Sequence, residues 1–263
     1  MKGDNMTEVN DPSLWWKQAV VYQVYPRSFK DSRGEGLGQI AGVTEKIGYL
    51  KELGVDAIWL SPFYPSQLAD GGYDVDDYRN VDPKLGTMDD FDALAKAAHA
   101  DGIKIVVDIV PNHSSNLHEW FKAALTAKPG SPERDRYIFR DGKGPNGDEP
   151  PTNWQNHFGG PAWTRVPDGQ WYLHMFTKEQ PDWNWKNEDV RADFIKTLRF
   201  WLDHGADGFR VDVAHGLAKD LDRDDLDDYV VWCTNDQPED GSHPVTEAKE
   251  LEGYLLTLDI PSY

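Results

Sequence analysis

The chain has 263 residues, 39% of them hydrophobic and 12% aromatic, which is enough apolar material for a globular core. Its 46 acidic and 27 basic side chains give a formal net charge of -19, so nucleic acid and anionic membranes are not expected partners. Cys233 is the only cysteine, which excludes an intrachain disulfide, and the N-terminal residues lack an apolar signal segment. We expect a cytoplasmic protein that binds a neutral small molecule.

Four short segments are almost continuously apolar, as is typical of parallel strands covered on both faces. In chain order they are AVVYQVYP at 19–26, DAIWL at 56–60, KIVVDIV at 104–110 and GFRVDV at 208–213. Each of the last three follows a stretch in which apolar residues recur at helical spacing and a glycine ends the helix. These stretches are Val43, Ile47, Leu50 and Leu53 before Gly54; Phe91, Leu94, Ala95 and Ala98 before Gly102; and Val190, Phe194, Leu198 and Trp201 before Gly205.

The alternation of strands and helices predicts an α/β fold with a parallel sheet, either doubly wound or a β/α barrel. No glycine-rich nucleotide fingerprint follows any of these strands, which favours the (β/α)8 TIM-barrel type. About four of the eight strand–helix units are visible. Residues 1–113 are expected to form the first part of the barrel and residues 186–220 its fourth unit, with an acidic tail at 221–263.

Residues 114–185 interrupt the alternation and are rich in glycine, proline and aromatic side chains. A structureless loop of this length would be unusual, so we predict a small subdomain inserted after the third strand. Most of its aromatic rings are expected to form the subdomain's own core, and two or three to contact a ligand. The rings are Trp120, Trp154, Phe158, Trp163, Trp171, Tyr172, Phe176, Trp183 and Trp185.

Polar side chains cluster where the predicted strands end, which is where ligands bind in both candidate architectures. Arg210 and Asp212 lie two residues apart and are expected to share a face, so that the guanidinium lowers the pKa of the carboxyl. A structural ion pair is the alternative reading of these two residues. The other strand-end residues are Tyr25, Arg27, Ser61, Asp70, Tyr73, Asp74, Asp108, Asn112 and His113.

Five segments resemble, in order and spacing, the signatures of α-glucosidases and oligo-1,6-glucosidases of glycoside hydrolase family 13. They are YQVYPRSF, DGGYDVDDY, DIVPNH, YLHMFTKEQPDWNW and GFRVDVAH, and the resemblance covers residues 14 to 220. It implies a retaining hydrolase that acts on the non-reducing end of short α-linked glucosides, without a cofactor.

The resemblance also implies roles for individual residues. Asp212 matches the nucleophile and Arg210 its charge partner. Val213 is similar to the residue found in members that act on α-1,6 bonds. The remaining matched positions bind the sugar or line its pocket: Asp70, Tyr73, His113, Phe158, Phe176 and Gln180.

The family's proton-donating glutamate has no match in the chain, because Glu247, Glu250 and Glu252 lie in a helical context. The isolated chain is therefore expected to be nearly inactive. Two alternatives stay open. One is an inactive remnant or carbohydrate-binding fragment of the family, and the other is a trehalose-forming or other family transglycosylase.

Residues 31–39 resemble a short loop that binds a calcium-like ion in many relatives. Arg33 and Gln39 stand where Asn or Asp would be expected, and arginine cannot ligate a cation. Asp31 and Glu35 alone make a poor site. We expect weak metal binding or none.

Overall fold

The computed structural model describes residues 12–217, 219 and 221, which form seven strands and seven α-helices. The strands are β1 (Val21–Val24), β2 (Ala57–Leu60), β3 (Lys104–Ile109), β4 (Phe139–Asp141), β5 (Trp163–Arg165), β6 (Gln170–Leu173) and β7 (Gly208–Val211). The helices are α1 (Pro26–Phe29), α2 (Ile40–Glu45), α3 (Ile47–Leu53), α4 (Met88–Ala100), α5 (Glu119–Thr126), α6 (Pro132–Asp135) and α7 (Glu188–Asp203). Two 3-10 turns add Pro12–Lys17 and Ala214–Gly216.

The main sheet has four parallel strands in the order β1-β2-β3-β7. Each strand after β1 lies next to the preceding strand of this sheet, and the order never reverses. A doubly wound sheet would reverse its strand order at a switch point, whereas a barrel adds strands in one direction. The predicted barrel architecture is therefore confirmed. Within the described residues, β1 and β7 each pair on one side only.

The predicted helices are present, with one correction to the first. That segment is two helices, α2 and α3, which meet at Lys46, and Leu53 is 52% exposed rather than buried. Gly54 has a φ of 83° and ends α3 in the left-handed conformation that glycine adopts without steric cost. Helix α4 begins with a capping box between Thr87 and Asp90, which satisfies two free backbone N–H groups.

The core lies between the sheet and its helices. Buried faces of β2 and β3 supply aliphatic side chains, and Trp201 of α7 is fully buried against them. Its indole packs edge-on against Phe63 and Phe91, with ring centroids 5.2 and 4.8 Å apart. Its Nε1 donates to the backbone oxygen of Tyr78 at 2.8 Å, so the one polar atom of this large side chain is satisfied.

Residues 114–185 contain α5, α6 and a three-stranded antiparallel sheet in the order β4-β6-β5. The expectation of a separate aromatic core is only partly right. Trp154 and Trp163 form a small cluster within this segment, whereas Trp183 and Trp185 pack into the main core. The segment is therefore fastened to the barrel sheet by shared packing, which gives its loops a fixed position above the strand ends.

Several sequence-based expectations fall outside the described residues. They concern Cys233, Glu247, Glu250 and Glu252, and all of the acidic tail except Leu221. Among the residues that are described, no helix has both the length and the apolar character needed to cross a membrane.

Candidate active site

The ends of β3 and β7 bring two carboxylates to one guanidinium. Asp108 and Arg210 are register partners across the two strands, and Asp212 follows β7, where its N–H donates to Ile109 at 2.8 Å. Arg210 Nη1 donates to Asp212 and also lies 3.2 Å from Asp108 Oδ2. The predicted Arg210–Asp212 contact is present, and the structure adds Asp108 as a second partner of the same guanidinium.

Asp108 is fully buried and is held by two further side chains. Its Oδ2 accepts hydrogen bonds from Trp59 Nε1 at 3.0 Å and from the Tyr73 hydroxyl at 3.3 Å. Burial raises the pKa of Asp108 to about 7, although Arg210 opposes the rise. Burial also raises the pKa of Asp212, and Arg210 again opposes it. The expected lowering of the Asp212 pKa is therefore wrong in its net sign, because desolvation outweighs the guanidinium.

The raised pKa of Asp108 predicts a pH dependence of stability. An Asp whose pKa is higher in the folded state retains a proton that the unfolded chain has lost, so stability falls between the two pKa values. From pH 5 to pH 8 we expect the unfolding free energy to fall by roughly 2–3 kcal/mol relative to Asp108→Asn, at 1.36 kcal/mol per pKa unit. Urea unfolding of both proteins across this range measures the difference. A constant difference would contradict a near-neutral pKa.

Arg210 is expected to stabilise the fold through both carboxylates. Replacing it by methionine leaves Asp108 and Asp212 without a cation, at a cost of about 1–3 kcal/mol in unfolding free energy. Arg79 is a matched control, because its side chain is 36% exposed against 38% for Arg210 and it pairs with Asp193 at 2.9 Å. Arg79→Met is expected to cost less, since Asp193 is partly solvated. Equal losses in the two variants would argue against a shared-cation role for Arg210.

A second group of polar residues lies beside this carboxylate pair. Gln180 is fully buried, and its Nε2 donates to Asp70 Oδ2 at 3.0 Å and lies 2.9 Å from His113 Nε2. Gln180 Oε1 accepts from the N–H of Thr177 at 3.0 Å, which fixes the orientation of the amide. Thus Asp70, His113 and Gln180, widely separated in sequence, are brought into contact.

His113 is held in its neutral form by its surroundings. Nδ1 faces the NH₂ group of Asn112 at 3.1 Å and so accepts a hydrogen bond, whereas Nε2 lies 2.9 Å from Gln180 Nε2 and 3.3 Å from the carbonyl oxygen of Tyr73, to which an Nε2–H can donate. An imidazolium would add an N–H at Nδ1 that opposes the Asn112 amide. Burial lowers the pKa of His113 to about 3, and the Tyr73 carbonyl opposes this shift.

The two pocket phenylalanines have different positions. Phe176 stacks at a tilt against His113, with ring centroids 4.9 Å apart, and so contributes an apolar wall. Phe158 is 63% exposed and touches Phe176 edge-on at 6.2 Å. It is therefore largely solvent-exposed, and neither ring is among the residues that line the neighbouring cavity.

A cavity of about 630 Å³ opens next to these residues on the β1 side. Gln23, Tyr25, Ser61, Asp70 and Tyr73 line it, together with residues of α1, whereas Asp212 and Arg210 do not. Tyr73 joins the two regions, because its ring lines the cavity and its hydroxyl reaches Asp108. The cavity is large enough for one or two sugar rings.

Arg27 is not part of this cavity, contrary to its grouping with the strand-end residues. It is 7% exposed, and its Nη2 pairs with Asp82 at 2.5 Å. Its position within α1 turns the side chain into the protein, where the ion pair is structural.

A buried ion pair that the sequence analysis did not predict joins Lys219 to Asp182. Lys219 is 5% exposed, and its Nζ donates to Asn112 Oδ1 at 2.9 Å and to Gly216 O at 2.6 Å. It also lies 3.1 Å from Asp182 Oδ2, in an ion pair without the alignment of a hydrogen bond. Burial raises the pKa of the fully buried Asp182, and Lys219 opposes this. A lysine seven residues after Asp212 would ordinarily be taken as a surface residue.

The backbone turns sharply after the candidate nucleophile. Val213 has a φ of 49°, a left-handed conformation that is unusual for a β-branched residue and that recurs at functional sites. The turn leads into the 3-10 turn at Ala214–Gly216, which Lys219 holds through the Gly216 carbonyl.

Comparisons with known proteins agree with this arrangement. The family model for the α-amylase catalytic domain matches residues 23–254. The oligo-1,6-glucosidase of Heyndrickxia coagulans is 50% identical over 214 residues, which is 81% of this chain and 38% of that protein. Two solved structures superpose with a TM-score of 0.82 at 44% identity: trehalose-6-phosphate hydrolase from Bacillus licheniformis and trehalulose synthase from Pseudomonas mesoacidophila MX-45. Each superposition covers 93% of this chain and 42% of the other.

The chain thus spans about two fifths of the length of the relatives that it matches.

Proposed function

The chain belongs to the α-amylase catalytic-domain family, glycoside hydrolase family 13, and we propose from this that it carries the nucleophile and the sugar-binding side of a retaining α-glucosidase site. The observation that supports this proposal most directly is the position of Asp212 at the end of β7, in contact with Arg210 and close to the Asp70–Gln180–His113 group. Neutral short α-linked glucosides are the proposed substrates, in the cytoplasm.

The chemistry of a retaining hydrolase begins with a carboxylate attack on the anomeric carbon. The Asp212 carboxylate would form the glycosyl ester, and Arg210 would favour its ionised form against the effect of burial. Asp108 would compete for the same guanidinium when ionised. Near and below neutral pH Asp108 is protonated, so Arg210 is then available to pair with Asp212.

The reaction also requires a second carboxyl group that protonates the leaving oxygen. Among the described residues, Asp108 and Asp70 are the two carboxylates whose charges interact with Asp212, and both already accept hydrogen bonds from other side chains. Asp108 is bonded to Trp59 and Tyr73, and Asp70 accepts from Gln180. We assign the acid to neither of them, so it would come from outside the described ranges.

The polar groups around the cavity suit a neutral sugar. Asp70 lines the cavity as a hydrogen-bond acceptor that Gln180 holds in place, and Tyr73 lines it with an aromatic side chain suited to the C–H groups of a pyranose. Lysine and arginine are absent from the described lining of the cavity. This favours a neutral glucoside over a phosphorylated disaccharide such as the substrate named for the Bacillus licheniformis relative.

Product analysis tests the proposal. Isomaltose and maltose are expected to release little glucose, because their leaving group needs the acid that the described residues do not supply. Glucosyl fluoride needs no such acid and is expected to release glucose, with a higher KM in Asp70→Asn because a hydroxyl acceptor is weakened. Isomerised sucrose or longer glucosides as main products would instead support a transglycosylase, a reading favoured by the likeness to trehalulose synthase. Sugar binding without turnover of any of these substrates would support the carbohydrate-binding alternative.

A further inference from the structure

Residues 31–39 form a loop between α1 and α2 that supports one wall of the cavity. The cavity is lined by Ser28 and Phe29 of α1, and the N–H of Gly38 donates to Arg27 O at 2.7 Å. A Cβ on Gly38 would lie 2.1 Å from Pro26 O, so glycine is required for this close approach. Whatever fixes this loop therefore also fixes the cavity wall.

The carboxylate of Asp31 accepts three hydrogen bonds from the loop's own backbone. Oδ1 accepts from Arg33 N at 3.0 Å and Gly34 N at 2.7 Å, and Oδ2 accepts from Gly36 N at 2.8 Å. These bonds, with that from Gly36 the largest contribution, lower the pKa of Asp31 to about 2.

Gln39 closes the other end of the loop with both halves of its carboxamide. Its Oε1 accepts from the N–H and the hydroxyl of Ser32 at 2.8 and 2.9 Å. Because a backbone N–H can only donate, the NH₂ group must point the other way, and it donates to the carbonyl oxygen of Leu37. The Gln39 side chain is completely buried in this position.

This donor set does not fit a calcium-like ion. Such an ion needs several oxygen ligands, but Arg33 supplies donors only, Glu35 is exposed, and the Leu37 carbonyl already accepts from an amide. In the described part of the chain, no three His, Cys, Asp or Glu side chains are grouped so that they could hold a metal.

We propose that this loop is independent of metal, because the Gln39 NH₂ group takes the place of a cation at the Leu37 carbonyl and Asp31 is satisfied by backbone N–H groups. A cation and an N–H donor both complement a carbonyl oxygen, so one amide can replace one metal–oxygen contact. The cavity wall is then held by the protein's own side-chain and backbone groups at any metal concentration.

The proposal predicts which substitutions would create a metal requirement. Arg33→Asn with Gln39→Asp replaces two donors by oxygen ligands and frees the Leu37 carbonyl. In this double variant of the 263-residue chain, 10 mM EDTA is expected to lower Tm. A Ca²⁺ concentration about 100-fold above Kd is expected to raise it by roughly 5–10 °C. Arg33→Asn alone is the matched control, since it keeps Gln39 in place, and its Tm should not respond to either reagent.

Measurements on the unmodified chain test whether the loop is independent of metal. Its Tm is expected to be the same in EDTA and in Ca²⁺, and calorimetric titration with Ca²⁺ should show no binding at this loop. A fall in Tm with EDTA that Ca²⁺ reverses would overturn metal independence. A folded double variant that gains no Ca²⁺ response would overturn the assigned role of Gln39.

Discussion

Asp212→Asn is expected to abolish covalent labelling of the protein by 5-fluoro-α-D-glucosyl fluoride. Fluoride leaves without protonation, so this reagent needs a nucleophile but no general acid. The attack of the Asp212 carboxylate would give a glucosyl ester, while the ring fluorine slows its hydrolysis by destabilising positive charge at the anomeric carbon. Mass spectrometry of the intact protein and of its peptides measures the adduct and locates it.

The expected loss in the rate of labelling is on the order of 10⁴ or more, as for other residues that form covalent intermediates. Asp108→Asn is the control, because Asp108 shares the same guanidinium but is turned toward Trp59 and Tyr73. It should retain labelling at a changed rate. An adduct on any residue other than Asp212 would refute the assignment of the nucleophile. This experiment does not depend on where the general acid lies.

Lys219→Met is expected to destabilise the protein by about 3–5 kcal/mol, the usual cost of leaving one member of a buried ion pair alone. Asp182 is fully buried, and without the ammonium group it must be protonated or remain uncompensated. Denaturant unfolding at neutral pH measures the loss. Adding Asp182→Asn to the variant should recover part of it, since the buried charge is then removed together with its partner.

Lys104→Met provides the comparison for this prediction. Lys104 also pairs with an aspartate, Asp207, at 2.8 Å, but the lysine side chain is 43% exposed. Its loss is expected to cost no more than about 1 kcal/mol, as for other solvated ion pairs. Similar costs for the two lysine variants would contradict the structural role assigned to Lys219.

The strand ends could be predicted from the sequence because each strand is marked by a continuous run of apolar residues in its own segment. Continuous apolar runs identified the strands, and the carboxyl ends of parallel strands meet at one edge, which placed Asp108, His113, Arg210 and Asp212 near one another. The Asp182–Lys219 pair could not be predicted, because the two residues are far apart in sequence and meet only in the folded chain.

Other features were missed for energetic reasons. The break between α2 and α3 falls at Lys46, whereas the nearby Gly42 and Gly48 lie inside the two helices and do not mark it. The direction of the Asp212 pKa shift depends on how much water the fold removes from the carboxyl, whereas the sequence shows only the neighbouring arginine. Gln39 could be recognised as an unlikely metal ligand, but its bond to the Leu37 carbonyl is visible only in three dimensions.

The contacts beneath the pocket form a continuous path from Asp70 through Gln180, His113 and Asn112 to Lys219, which in turn holds the turn after Asp212. Substitutions at opposite ends of this path are therefore expected to show energetic coupling in double-mutant cycles, unlike distant sites with no shared partners. Changes in sugar preference and changes near the nucleophile would then have to be selected together. A substitution on one side of this pocket would then require a compensating substitution on the other.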